Sequence, residues 1–172
     1  MEKTRIFVDT NVILEANRTG CWASICNRYS VETVKKCVEE VFTGNLDDPK
    51  RIHVDKAILE NNIAAQHPTN KRDVLNLYKK DPECSELDAG ELHLFAFIHK
   101  QKILPNESIL ISTADKAAIK ATGRLGWLDS LDSLENLAQK SGVRQTAIEL
   151  LKQQYSTKWL KQIRTDIRLG SI

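Results

Sequence analysis

The sequence predicts an α/β fold, a three-layer α/β/α sandwich in which helices cover both faces of a central parallel sheet. Short apolar runs, RIFV at 5–8 and SILIS at 108–112, each lead through polar residues into a segment of helical periodicity. Strands that alternate with helices in this way are typical of parallel sheets. From about residue 130 the pattern is helical to the end, so we expect a C-terminal helical extension beyond the sheet.

Further elements follow from local patterns of apolar and polar residues. The alternating run at 27–34 predicts a strand, and the residues at 51–54 suit either a fourth strand or the entry to a helix. Gly142 is the expected break between two C-terminal helices. Besides the helical segments that follow the two apolar runs, at 11–17 and 113–121, the predicted helices lie at 35–42, 55–66, 71–80, 88–101, 131–140 and 144–164.

Length and charge limit the domain organisation and the location of the protein. A chain of 172 residues suits one domain at 1–130, with the extension at 131–172 packed on it or next to it. No apolar run approaches the roughly 20 residues of a membrane span, and the first residues lack the apolar core of a signal peptide. We therefore expect a cytoplasmic protein with no membrane partner. The net charge of +2 leaves only local basic patches for a nucleic acid.

Acidic residues stand where the predicted strands end. Asp9 directly follows the first apolar run, Asp115 stands three residues after the run at 108–112, and Glu40 lies on the helix after the second predicted strand. Asp88 and Glu91 open the apolar helix at 88–101, three positions apart, so they share one face of it. Ligand sites of parallel α/β sheets lie outside the carboxyl ends of the strands, where these loops meet. The five acids are therefore candidates for one site.

Three of the five acids also have a purely structural interpretation. Asp9 suits the N-cap of a helix that begins near Asn11, and Asp115 favours the positive end of the next helix. Asp88 suits a capping pair with Ser85.

A divalent cation explains why several carboxylates would share one cleft. Isolated carboxylates repel one another and lose hydration when they are buried together, unless a cation lies among them. Mg²⁺ and Mn²⁺ prefer oxygen ligands and retain several waters. A metal held in this way supports hydrolysis of phosphodiester bonds.

Four segments of the chain resemble the PIN-domain nucleases, over roughly residues 5–128. They are IFVDTNVIL, a Glu on the helix after ETV, LDAGELHLFAFI and ILISTADKAAI, in the order of the family's four acidic positions. The resemblance implies a small α/β/α fold and cleavage of single-stranded RNA that depends on Mg²⁺ or Mn²⁺. It also implies service as the toxin of a toxin–antitoxin pair, with an antitoxin-like protein as partner, or a role in RNA processing or defence.

The resemblance assigns roles to particular residues. Asp9 matches the first family acid and Asn11 the small polar residue that orients it. Glu40 matches the second acid, although Glu39 next to it is an alternative. The third position falls on Asp88 or Glu91.

Asp115 matches the fourth family acid. The resemblance implies that Asp9, Glu40, Glu91 and Asp115 hold the metal, and that Thr113 hydrogen-bonds a metal-bound water or a phosphate. Many relatives carry a polar side chain at the position of Ala114, so the resemblance leaves open whether the site holds one metal ion or two.

Two other functions compete with the nuclease. A haloacid-dehalogenase-like phosphatase also opens with a strand and an Asp, but it requires a second Asp where this chain has Asn11. A PIN-like module that only binds RNA or protein is the second alternative. The basic, amphipathic tail around Trp159 is expected to contact nucleic acid or another chain, including a second copy of this one.

Overall fold

The computed structural model describes residues 2–43, 47–105 and 107–172. It is a mixed α/β fold with one sheet of four parallel strands and, in these ranges, ten α-helices. The strands are β1 (Arg5–Val8), β2 (Ser30–Val34), β3 (Ala65–His67) and β4 (Leu110–Ser112). The helices are α1 (Thr10–Arg18), α2 (Trp22–Arg28), α3 (Lys35–Phe42), α4 (Lys56–Asn62), α5 (Lys71–Lys80), α6 (Ala89–Gln101), α7 (Lys116–Leu125), α8 (Leu134–Lys140), α9 (Gln145–Ile148) and α10 (Thr157–Arg168). Short 3₁₀ helices lie at Pro82–Glu86, Leu128–Ser130 and Gln153–Tyr155.

The sheet has the spatial order β3-β2-β1-β4, so β1 lies between β2 and β4. Successive side chains of a strand point to opposite faces. Accordingly Phe7 packs in one core cluster, whereas Ile6 and Val8 pack in the other. All three are almost fully buried. This explains why β1 reads as a continuous apolar run, which is typical of a strand buried on both faces.

Several predicted elements are confirmed. The strand at 5–8 and the helix at 71–80 have the predicted bounds, and α6 begins one residue after its predicted start. The predicted strands at 27–34 and 108–112 are present but begin later, at Ser30 and Leu110. No helix of the described residues has the length and apolar character of a membrane span.

Of the two alternatives for residues 51–54, the entry to a helix is correct, and the fourth strand of the sheet lies at a position where a helix was predicted. Residues 51–54 form no strand and lead into α4, whereas the predicted helix at 55–66 ends at Asn62 and gives way to β3. Tertiary contacts hold β3 in place: it pairs with β2, and the imidazole of His67 stacks on Phe97 with ring centroids 4.0 Å apart. These contacts outweigh the helical propensity of the segment.

The predicted helix at 144–164 was also wrong, because the structure divides it into α9, a 3₁₀ turn and part of α10. The backbone N–H of Lys152 donates to the carboxylate of Glu15 at 2.8 Å, which ties the interruption to α1. Leu160 and Ile163 of α10 join the same core cluster as Phe7. The tail therefore packs on the rest of the chain, and Gly142, with φ +73°, precedes α9 as predicted. A boundary near residue 130 stays a prediction.

Candidate functional site

The carboxyl ends of β1 and β4 place two of the predicted acids at one edge of the sheet. Val8 pairs with Ser112 in the parallel register, and Asp9 and Asp115 follow these two residues closely. Each acid caps the next helix. Oδ1 of Asp9 accepts the N–H of Val12 at 2.8 Å, and Oδ1 of Asp115 accepts an N–H of α7 at 3.0 Å. Both acids are therefore helix caps, as their structural interpretation predicts. Each capping hydrogen bond uses only one oxygen of the carboxylate.

The first turn of α6 supplies two more acids. Asp88 is its N-cap residue, and Oδ1 of Asp88 accepts the N–H of Glu91 at 2.9 Å. The expected capping pair of Ser85 with Asp88 is wrong, because Ser85 belongs to the preceding 3₁₀ helix. The side chain of Asp88 is exposed, whereas that of Glu91 is buried.

Asp9 and Glu91 are the two acids that are fully enclosed. Their exposed fractions are 1% and 3%. Within the described ranges, Oδ2 of Asp9 and Oε1 of Glu91 are buried and have no hydrogen-bond partner. A buried carboxylate oxygen without a partner costs free energy, since it has lost water and gained nothing. Both atoms are therefore unsatisfied polar groups to which a ligand could bind.

The four acids act on one another electrostatically. Burial raises the pKa of Asp9 to about 6, the Thr113 hydroxyl opposes this shift, and the charges of Asp88 and Asp115 add to it. Burial also raises the pKa of Glu91 to about 9, with further contributions from the charges of Asp9, Asp115 and Asp88. The cluster is self-repelling in the absence of a cation, so Glu91 holds a proton at neutral pH.

Glu40 approaches the same helix terminus from α3. The hydroxyl of Thr10 donates to Oε2 of Glu40 at 2.7 Å. A Cβ on Gly90 would lie 2.9 Å from that hydroxyl oxygen and closer still to Oε2 of Glu40. Gly90 thus leaves the space that the Glu40 carboxylate occupies. Glu39, the alternative, has a side chain that is 65% exposed and pairs with Lys36 at 3.6 Å.

Thr113 and Asn11, the two polar residues predicted to assist the acids, lie in different surroundings. Thr113 is buried, and its hydroxyl accepts the N–H of Asp115 at 3.3 Å. The side chain of Asn11 is exposed and makes no hydrogen bond to Asp9 in the part of the chain described. The backbone carbonyl of Asn11 accepts the hydroxyl of Tyr155 at 3.3 Å instead.

Tyr155 is a neighbour of the site that sequence reasoning missed. Burial raises its pKa, and the negative charges of Asp9 and Glu15 raise it further. It reaches this position from the C-terminal segment, 144 residues after its hydrogen-bond partner Asn11. No local pattern in the sequence signals such a contact.

The side chains at this edge suit a hard divalent cation in their chemistry. Among the described residues, no three His, Cys, Asp or Glu side chains form a group that would hold a metal by themselves. Mg²⁺, however, is commonly bound by only one or two carboxylates and keeps several waters. The unpartnered oxygens of Asp9 and Glu91 match that requirement, and the donors are all oxygen.

Comparison with known proteins does not assign the chain to a family. No model of a known protein family matches the chain, and no curated protein matches its sequence.

Proposed function

We propose that this chain is a PIN-like, metal-dependent endoribonuclease that cleaves single-stranded RNA. The observation that carries the proposal is the pair of buried, unpartnered carboxylate oxygens on Asp9 and Glu91 at the carboxyl edge of a parallel sheet. The nearby charges of Asp88 and Asp115 make this edge strongly favourable for a cation. The three-layer α/β/α arrangement is part of the same proposal.

Five acidic residues would contribute to the proposed ion site. Asp9 and Glu91, whose buried oxygens lack partners, would hold Mg²⁺ or Mn²⁺ directly, and Glu40 and Asp115 would act through the waters that such an ion retains, with Asp88 close to Glu91 as the exposed member of the group. When bound, such an ion lowers the pKa of a coordinated water and stabilises negative charge on a phosphate.

Local hydrogen bonds fix the orientation of these side chains. The N–H of Val12 fixes one oxygen of Asp9 and leaves the other free to act as an acceptor. Thr10 orients the carboxylate of Glu40 in the space beside Gly90. Glu91, whose pKa of about 9 keeps it protonated at neutral pH, would give up that proton to hold a cation, because a positive charge would offset the repulsion that raises its pKa.

RNA cleavage by the purified chain tests the proposal. A fluorescently labelled single-stranded RNA is expected to be cut with Mn²⁺ or Mg²⁺ and to stay intact in EDTA, and Asp9→Asn is expected to abolish cutting. Asp55→Asn is the matched control, because Asp55 caps α4 in the same way but is exposed and distant from the cluster in sequence. Cleavage that survives exhaustive chelation, or that requires zinc, would contradict the proposal.

The biological role is a further proposal. A toxin would be accompanied by an antitoxin-like partner, whereas an RNA-processing or defence enzyme would act without one. Co-expression with the product of a small adjacent reading frame distinguishes the two: a toxin is inhibited and forms a stable complex.

A further inference from the structure

A pocket of about 270 Å³ lies where α5 and α6 end. Lys80 is the last residue of α5, His99 is in the last turn of α6, and Lys102 follows α6 directly. The remaining lining residues are apolar or aromatic: Ile98, Leu104, Pro105, Leu125 and Trp127. None of the described residues that line the pocket is acidic.

The basic side chains of this pocket repel one another. Burial lowers the pKa of His99, and the positive charges of Lys80 and Lys102 lower it further. Within the described ranges no carboxylate pairs with Lys80 or Lys102, whereas the nearby Lys100 pairs with Asp73 at 3.3 Å. Cations near a helix C-terminus interact favourably with the helix dipole. That interaction explains why a lysine lies at the end of each helix. It does not explain why both lysines lie beside His99 and an apolar surface.

The backbone of Lys102 is a second, independent observation. Its φ of 53° is left-handed, and among the described residues it is the only positive φ outside glycine. Glycine, and sometimes asparagine, usually takes this position after a helix, because a Cβ is strained there. Strained residues of this kind cluster at ligand sites. A lysine therefore stands in the pocket at a position where glycine would be more stable.

We propose that this pocket binds a nucleoside phosphate, with the phosphate held by Lys80, Lys102 and His99 and the base lying on the apolar surface near Trp127. Two lysines match the charge of a phosphate dianion. Exposed Pro105, above the nearly buried Ile98, Leu104, Leu125 and Trp127, gives the base a small apolar surface to lie against. The volume lies just below the roughly 300–1,000 Å³ of common small-molecule sites, so there is space for one small ligand.

This site is separate from the acidic cluster. His99 follows Glu91 by eight residues on α6, which corresponds to about 12 Å along the helix axis. The phosphate belongs either to a free nucleotide or to the phosphorylated end of an RNA strand. Binding does not depend on the proposed nuclease activity, so it is measured in EDTA.

Calorimetric titration of the full chain with AMP tests the site. Lys80→Ala and Lys102→Gly are each expected to weaken binding by at least tenfold. Lys79→Ala, next to Lys80 on α5 but outside the pocket lining, is the matched control and is expected to bind like the parent. Lys102→Gly is also expected to raise the melting temperature, because glycine relieves the left-handed strain. Loss of binding together with higher stability excludes a folding defect.

Further titrations identify the source of the phosphate. Adenosine is expected not to bind, and inorganic phosphate is expected to bind more weakly than AMP. An RNA octamer with a 5′-phosphate that binds more tightly than its 5′-hydroxyl counterpart, and loses this advantage in Lys80→Ala, would assign the site to RNA ends. Equal affinity of the two octamers with tight AMP binding would assign it to free nucleotides. Absence of AMP binding, or equal AMP affinity in the parent and in the Lys80 and Lys102 variants, would overturn the proposal.

Discussion

Replacement of Asp9 by Asn is expected to stabilise the metal-free protein, and the gain should grow with pH. Asn has nearly the same size as Asp and keeps a side-chain oxygen that accepts the N–H of Val12, so the cap of α1 is retained. It removes a charge that is buried at 1% exposure beside other acids. The substitution therefore separates the structural role of Asp9 from its electrostatic role.

The pKa of Asp9 sets the magnitude of this effect. Folding raises it from 3.8 to about 6, a difference of about 2 units, or about 3 kcal/mol at 1.36 kcal/mol per unit. Because the folded pKa is the higher one, the folded state holds the proton more tightly. The stability linked to this group is complete below pH 3.8 and is lost as the pH rises through about 6. Asn does not titrate, so the variant avoids this loss.

Urea denaturation in EDTA at pH 5 and pH 8 measures the effect. The new amide N–H groups of Asn carry a cost, but that cost is independent of pH and cancels in the comparison. We expect the stability of Asp9→Asn relative to the parent to rise by at least about 1 kcal/mol from pH 5 to pH 8. Asp55→Asn, at the exposed N-cap of α4, is expected to show no such rise. A relative stability of Asp9→Asn that is lowered equally at both pH values would refute the reasoning, since Asp9 would then be only a cap.

Three further experiments test the surroundings of the cluster. Gly90→Ala places a methyl group against the Glu40 carboxylate, so RNA cleavage and Mn²⁺ affinity are expected to fall at least tenfold; unchanged values would exclude Glu40 from the site. Glu40→Gln is expected to lose cleavage while Glu39→Gln retains it, and kinetics of both variants decide between the two neighbouring acids. Deletion of 145–172 removes buried aliphatic side chains of α10 and is expected to lower the free energy of unfolding by more than about 3 kcal/mol; a truncated protein of unchanged stability would show that the tail packs only weakly.

Local patterns were sufficient for the elements that carry most of the site. RIFV is followed at once by Asp9, and an apolar strand near residue 110 is followed by Asp115, so two parallel strands predict two acids at one edge. Asp88 and Glu91 share a helix turn by spacing alone. These relations depend on neighbours in sequence, which is why they could be predicted.

Other features depend on contacts between distant segments. β3 exists because it pairs with β2 and because His67 stacks on Phe97, and neither contact is visible in the residues of 63–67 themselves. The position of Tyr155 beside α1 likewise follows from the path of the C-terminal segment. Burial, which separates Glu91 from the exposed Asp88, also emerges only from the packed structure.

Calorimetric titration of the metal-free protein with Mn²⁺ tests most directly whether the acidic cluster is a metal site. The account predicts binding that weakens at least tenfold in Asp9→Asn and in Glu91→Gln. Because the pKa of Glu91 is about 9 in the metal-free protein, it also predicts release of about one proton per ion at pH 7.5, measured from titrations in buffers of different ionisation enthalpy and absent in Glu91→Gln. Mn²⁺ affinity and proton release that are the same in the parent and in both variants would contradict it.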